Sequence, residues 1–523
     1  MKPSTSYSLN FRPWMAPLWA LVMLPSCSSS GLAARDAPQG IPDADQGIVI
    51  TADGGDDSAL GADTAVDVAT ASRDGGSPTL VPEAGQPDGG GTSYPTSCDD
   101  IGKEPVIPPP CATVLATKTV AVGTATTDDD EASLDTLAIQ AALDVCPSGQ
   151  SVRLAADGTK NAFLVGPLQV RSGKTVWIDT GVTVYASRNP RVFDAKPASG
   201  LCGTAASNGA CAGVFNMTAS THAGLMGTGT VDGQGGKPVL GSTLTWWQLN
   251  TVASGGLAAP RLVSANSGSG LVIQGLRFQN SGKFHIVPTG VLGFTIWGVT
   301  IITDPESPNT DGIDPAGSTN GVIAYCNIST GDDNIAIKGA GPVVVDNLII
   351  AHNHFGRGHG MSIGSETNVG VKNVKVCDLS LDGTTNGIRI KSDVSRGGLV
   401  TGISYTDVCM RNVSSPLVFN PFYTSGATGT LIPDFQNIAL SNVHVLGGGK
   451  VTLVGYDPSH LLSLTMDNVV FDSAPTVTAS QATITVGPNP VSIAPSGTGV
   501  TVTGTTTGTA APRECSNAWV TFN

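Results

Sequence analysis

Between about residues 160 and 475, apolar side chains recur at offsets 0, 2, 5 and 7 of a repeating unit. Clear examples are Leu271/Ile273/Leu276/Phe278, Phe294/Ile296/Val299/Ile301, Val374/Val376/Leu379/Leu381 and Ile438/Leu440/Val443/Val445. The unit at Gly321 keeps the pattern with Ile323, Cys326 and Ile328, and the unit at Leu348 sets Asn353 in an apolar slot. Unit starts at 271, 294, 321, 348, 374, 403, 438 and 464 lie 23 to 35 residues apart. Two short alternating runs per unit, with Gly and Asn at the corners, describe strands bent around a core. A period in this range marks a solenoid. β-branched alternation with no helix in each unit predicts an all-β chain folded as a right-handed parallel β-helix. Successive coils then stack about 4.8 Å apart. A leucine-rich repeat would carry a shorter, steadier Leu/Asn pattern, which is absent.

The ends read differently. Over Glu131–Cys146 the spacing predicts one amphipathic helix with Leu134, Ala138, Ala141, Ala142 and Val145 on one face. Asp128, Asp129 and Asp130 are expected at its start, where the macrodipole favours acid. Such a helix would cap the open N-terminal end of the stack. Residues 475–514, rich in Thr, Val, Gly, Ala, Pro and Ser, are expected to add irregular final strands or a C-terminal cover. Residues 1–27 read as an export signal, with Lys2 and Arg12 before the apolar run Trp14 to Leu24. That run ends Leu24-Pro25-Ser26-Cys27, which resembles a bacterial lipobox. Lipidation of Cys27 would attach the chain to a membrane; ordinary signal cleavage nearby is the competing outcome. Residues 28–96 hold eleven acidic residues against Arg35 and Arg73, with almost no aromatics. They predict a flexible acidic tether leading to one β-helix domain over 97–523.

The net charge of −14 disfavours nucleic acid as a partner. Much of it belongs to the tether, which leaves a mildly acidic body. Ten Cys in an exported chain indicate oxidising surroundings. Processing at Cys27 would leave an odd number and so at least one unpaired thiol. Cys326 falls at an inward position, where a buried free thiol is expected.

Each coil has a second apolar pair: Ile335/Ile337, Met361/Ile363, Ile388/Ile390 and Leu417/Phe419, with Ile313 in the coil before. Two positions earlier stand Asp311, Asp333, His359 and Asn386. These side chains should form a ladder on one face. Asp332 joins them if Gly331 bends the chain so that both acids face outward. Arg389 and Lys391 alternate with inward Ile388 and Ile390, and Lys338 shares the Lys391 register two coils earlier. The expected result is a solvent-facing strip of three carboxylates, a His and cations. Single members fit an ordinary Asn/Asp corner ladder; the whole set in one register does not. Its chemistry suits glycoside hydrolysis, in which one carboxyl protonates the leaving oxygen and another activates water. Crowded carboxylates keep a proton available. The cations suit an anionic substrate such as a uronic acid polymer.

The segments SPNTDGIDP, STGDDNIAIK, GHGMSIGSE and NGIRIKSD resemble, in order and spacing, the four signatures of glycoside hydrolase family 28, the polygalacturonases. GTGTVDGQGG at 227–236 with Trp246-Trp247, NSGKFHIV at 280–287 and the run ending PLVFNPFY extend the resemblance, most closely to bacterial endopolygalacturonases. It implies Asp332 as general acid, Asp311 and Asp333 as activators of the attacking water, and inversion at the anomeric carbon. It implies further that His359 supports the acid, that Arg389 and Lys391 bind the substrate carboxylate, and that Tyr423 and Asn309 line the site. No metal or other cofactor is implied. The pairs Cys111–Cys146 and Cys202–Cys211 are family-like, and Cys98–Cys515 is a further assignment. The expected activity is cleavage of polygalacturonate within the chain, by a secreted or lipid-anchored monomer. Exo action or a decorated pectin substrate remains open. A pectate lyase would need a calcium cluster and an Arg base, and a non-catalytic solenoid would not need the carboxylates.

Overall fold

The computed structural model describes residues 94–522, apart from 122, 207, 254 and 255. The export signal, Cys27 and nearly all of the tether lie outside the described residues. Parallel pairing joins Leu271 to Phe294, then Gly321, Leu348, Val374, Ile403, Ile438 and Leu464, in the register that the repeat predicts. The offset-7 residues stack likewise, from Phe278 through Ile301, Ile328, Phe355, Leu381, Met410 and Val445 to Phe471. Both rows belong to one buried apolar core. The chain is a parallel β-helix.

The odd step between offsets 2 and 5 has a backbone cause. Offset 4 is left-handed in every unit: Gly275, Gly298, Tyr325, His352, Asp378, Asp407, Asn442 and Asn468 all have positive φ. One left-handed residue turns the corner and returns the next alternating pair to the interior. Asn353 occupies its apolar slot with its amide satisfied. Its Nδ2 donates to Ile323 O at 2.9 Å, and its Oδ1 accepts from Cys326 N at 2.8 Å. Cys326 is buried and free, and burial pushes its thiol up to about 12.

Six strands form a separate parallel sheet: Ile335–Ile337, Met361–Ile363, Asn386–Lys391, Ser415–Asn420, Lys450–Val454 and Thr476–Ser480. The predicted second ladder holds here, since Ile313, Ile335, Met361, Ile388 and Leu417 are successive partners. Residues 475–514 contribute Thr476–Ser480, Ala482–Val486 and Val500–Gly504.

The ends depart from expectation in detail. The capping helix spans Thr136–Val145 and buries Ile139 and Leu143, whereas Val145 is 81% exposed. The assumed apolar face was therefore rotated. The Asp128–Asp130 run precedes this helix by several residues and stays in the approach to it: Asp128 pairs with Arg188 at 2.5 Å and Asp130 accepts from Thr127. A second helix, Trp246–Val252, was not predicted; Thr245 and Gln248 close a capping box at its start. The motif Thr-Trp-Trp-Gln carries that signal. Cys111–Cys146 and Cys202–Cys211 are paired. Cys98–Cys515 is not: Cys98 joins Cys377 and Cys515 joins Cys409. Each terminal segment is tied to the outer wall, Cys98 and Cys515 to adjacent coils rather than to each other.

Candidate active site

Asp311 precedes the Ile313 rung, Asp332 and Asp333 precede Ile335–Ile337, and His359 precedes Met361–Ile363. Arg389 and Lys391 lie on Asn386–Lys391. Stacking these rungs brings the predicted residues into one constellation. Asp332 Oδ1 accepts from Asp333 N at 2.8 Å and meets His359 Nδ1 at 3.0 Å. Asn309 Nδ2 reaches Asp332 Oδ2 at 3.4 Å, and Asn250 Nδ2, on the second helix, donates to Asn309 Oδ1 at 3.0 Å. That helix thus steadies the acid pair from outside the stack. Gly331 does not supply its bend through a left-handed φ. A side chain there would lie 2.1 Å from Ser307 O, so glycine is required by close approach.

Asp333 is held by cations. Arg389 Nη2 pairs with its Oδ1, and Lys391 Nζ lies 3.2 Å from its Oδ2. Ser362 Oγ donates to Asp333 Oδ1 at 2.7 Å and accepts from Arg389 Nε at 2.9 Å. Lys391 Nζ also stands 4.8 Å from the Tyr423 ring centre. The strip is therefore not solvent-facing as expected. Asp311, Asp332, Asp333, Arg389 and Lys391 are all buried, and His359 keeps the most exposure, 18% of its side chain. These side chains bury one another by pairing across adjacent rungs, which the repeat does not describe. Asp332, Asp333 and His359 offer ligand atoms within 4.8 Å of one another, a spacing a metal ion could use. The two cations on Asp333 already balance the charge of that cluster.

Burial, with the charges of Asp314 and Asp332, holds the Asp311 carboxyl well above the usual range. Burial likewise raises Asp314 to about 7, despite Lys338. Neither carboxylate oxygen of Asp314 has a hydrogen-bond partner. Burial opposes the charged form of His359, but the charge and hydrogen bond of Asp332 outweigh it and raise its pKa. His285 is fully buried and lowered to about 4 by desolvation, hence neutral. Its Nδ1 then donates to Asp311 O at 2.9 Å, and its Nε2 accepts from Thr303 at 2.6 Å. Asp314, Ser362 and His285 sit inside or beside the quoted motifs but were not singled out. Their signal was a polar residue close to the apolar pairs of the second ladder. Toward the N-terminal coils, Arg261, Lys283 and Lys338 surround Phe284, with charges 5.3, 5.8 and 5.9 Å from the ring centre.

Stacked parallel coils carrying carboxylates, an imidazole and buried cations on one outer face define a β-helical glycoside hydrolase. The model for glycosyl hydrolases family 28 matches residues 146–493, and the chain belongs to that family. A polygalacturonase of Ralstonia nicotianae is 42% identical over 478 residues, covering 78% of this chain and 89% of the relative. An endo-polygalacturonase of Pectobacterium parmentieri is 41% identical over 378 residues, covering 71% and 89%. The solved polygalacturonase from Erwinia carotovora ssp. carotovora superposes with a TM-score of 0.68 at 39% identity, covering 74% of this chain and 100% of that one.

Proposed function

We propose that the chain hydrolyses α-1,4-galacturonosyl bonds within de-esterified pectin, with inversion. The observation that carries this reading is the Asp332–His359 pair beside an Asp333 gripped by Arg389 and Lys391. Identity above 40% to polygalacturonases over most of the chain supports the substrate class. In the proposed reaction Asp332 gives its proton to the leaving oxygen, and His359, whose pKa is raised, restores it. Asp311 and Asp333 orient and deprotonate the attacking water. Burial and the neighbouring carboxylates raise the pKa of Asp311, so its ionisation, which base action requires, is favoured by higher pH. Arg389 and Lys391 set positive charge beside Asp333, which suits a uronate carboxylate next to the cleaved bond. Tyr423 packs over Lys391, and Asn309 holds Asp332 in place.

Four disulfides among the described residues accord with an oxidising, extracellular setting. We propose that the enzyme works as a monomer tethered through lipidated Cys27. Incubation with polygalacturonate tests the activity. New reducing ends without ultraviolet absorbance, with long oligomers appearing first, are expected. Absorbance would indicate a lyase, and monomer as the first product would indicate exo action.

A further inference from the structure

The two arms of the cleft differ in charge. Toward the N-terminal coils stand the three cations around Phe284. Toward the C-terminal coils, just past Tyr423, a cavity of roughly 460 Å³ is lined by Phe422, Tyr456, Thr424 and Asp393 among others, none of them basic. Phe422 is 54% exposed and stacks on Tyr456, with ring centres 5.3 Å apart and planes 27° apart. The sheet sets this pair. Leu417 and Phe419 pair with Val451 and Leu453, and three residues beyond each run the chain presents Phe422 and Tyr456. The pair therefore continues the same row of rungs that carries Asp333, His359 and Lys391. It lies three to four coils from Asp332, about 14–19 Å along the axis.

The only charged lining residue, Asp393, is engaged. It accepts from Ser395 N at 2.9 Å and pairs with Arg396 at 3.2 Å. Arg396 also pairs with Glu366 at 3.3 Å and donates to Thr424 Oγ1 at 3.0 Å, so its guanidinium is shared between two carboxylates and a lining hydroxyl. An ionised uronate placed here would give up water beside an aspartate, where the one guanidinium that touches the lining already serves Asp393 and Glu366. An esterified residue brings no charge, and its methyl group and ring face suit an exposed aromatic surface.

We propose that the Phe422–Tyr456 shelf is a saccharide subsite for a methyl-esterified galacturonosyl residue, several units from the cleaved bond. This rests on the polygalacturonase reading above. The cleft then demands carboxylate charge at and before the reacting bond and admits its absence beyond.

The test is steady-state kinetics on trigalacturonate, hexagalacturonate and partly methyl-esterified hexagalacturonate. Phe422→Ala should raise KM on the esterified hexamer about 2- to 12-fold, the factor an aromatic contact carries. The change in kcat should be small, and the penalty on the trimer should be smaller. Phe422→Tyr should restore the wild-type KM. Phe422→Lys should move preference toward the unesterified hexamer. The subsite is overturned if Phe422→Ala costs trimer and hexamer equally, or costs the unesterified hexamer more. Wild-type enzyme that cleaves none of the three would instead remove the polygalacturonase reading itself. Because Phe422 is largely exposed, thermal melts of the variants should match wild type.

Discussion

Asp332 and Asp333 are neighbours in the chain with different obligations. Asp332 contacts the His359 imidazole, the Asn309 amide and the Asp333 N–H, so Asp332→Asn keeps most of its contacts. It should lower turnover about 10²–10⁴-fold, the range for losing a general acid, with little change in melting temperature. Asp333→Asn strands Arg389 and Lys391 in a buried site. Removing one member of a buried ion cluster costs about 3–5 kcal/mol, so this variant should lose activity and melt markedly lower. Equal melts for the two variants would mean that Asp333 is not the anchor of those cations. The pH behaviour follows from the same residues. Asp314 adds negative charge beside Asp311, so Asp314→Asn should make Asp311 easier to ionise and move the acidic limb of kcat/KM to lower pH. Asp311, Asp314 and His359 all have raised pKa values. Each binds its proton more tightly folded than unfolded. The stability they confer is full below their unfolded values and is lost as pH rises through the folded ones, about 7 for Asp314. Thermal melts should therefore decline from mildly acidic toward alkaline pH. The catalytic candidates were legible in the sequence because a side-chain period of two fixes which residues share a face across coils. Their burial was not, since a shared face does not say which side chains turn along it to pair with one another.

At the scale of the coil, the corner residue decides the pattern. A left-handed residue at offset 4 explains why the apolar slots are spaced 0, 2, 5 and 7. The sequence displays that spacing without displaying its cause, because the corner residue varies from Gly through Asn, Asp and His to Tyr325, a residue type that is rarely left-handed. Asn353 shows the same limit. It looks like a flaw in an apolar row, yet its amide satisfies Cys326 N and Ile323 O. Asn353→Leu should therefore destabilise the protein by about 1–3 kcal/mol, despite completing the hydrophobic pattern, because it leaves those two groups unpaired. Chemical denaturation would show this. A gain in stability would mean that the backbone groups find other partners. The rotated capping helix was misread for a simpler reason: a helix of many alanines offers several faces of similar hydrophobicity, and only contact with the first coils selects Ile139 and Leu143.

At the scale of the whole molecule, coils interact mainly with their neighbours, so stability is shared along the stack. The core runs continuously from the capping helix to Ile493. The terminal segments belong to no coil and carry no repeat, which is why their cysteine partners were beyond sequence reading. Cys98 closes a span of 279 residues and Cys515 one of 106. Replacing Cys409 and Cys515 with Ser should cost about 2–5 kcal/mol. Hydrogen exchange should rise first in the terminal segment around Cys515 and the wall at 371–411 that it covers, and a uniform rise would argue against this local role.

A cylinder built by winding ordinarily unravels from its tips. Here each tip is buckled to the flank near the middle of the spool, Cys98 onto the very turn that carries Arg389 and Lys391, so a reductant should act as a key that frees the straps while the windings beneath them stay shut.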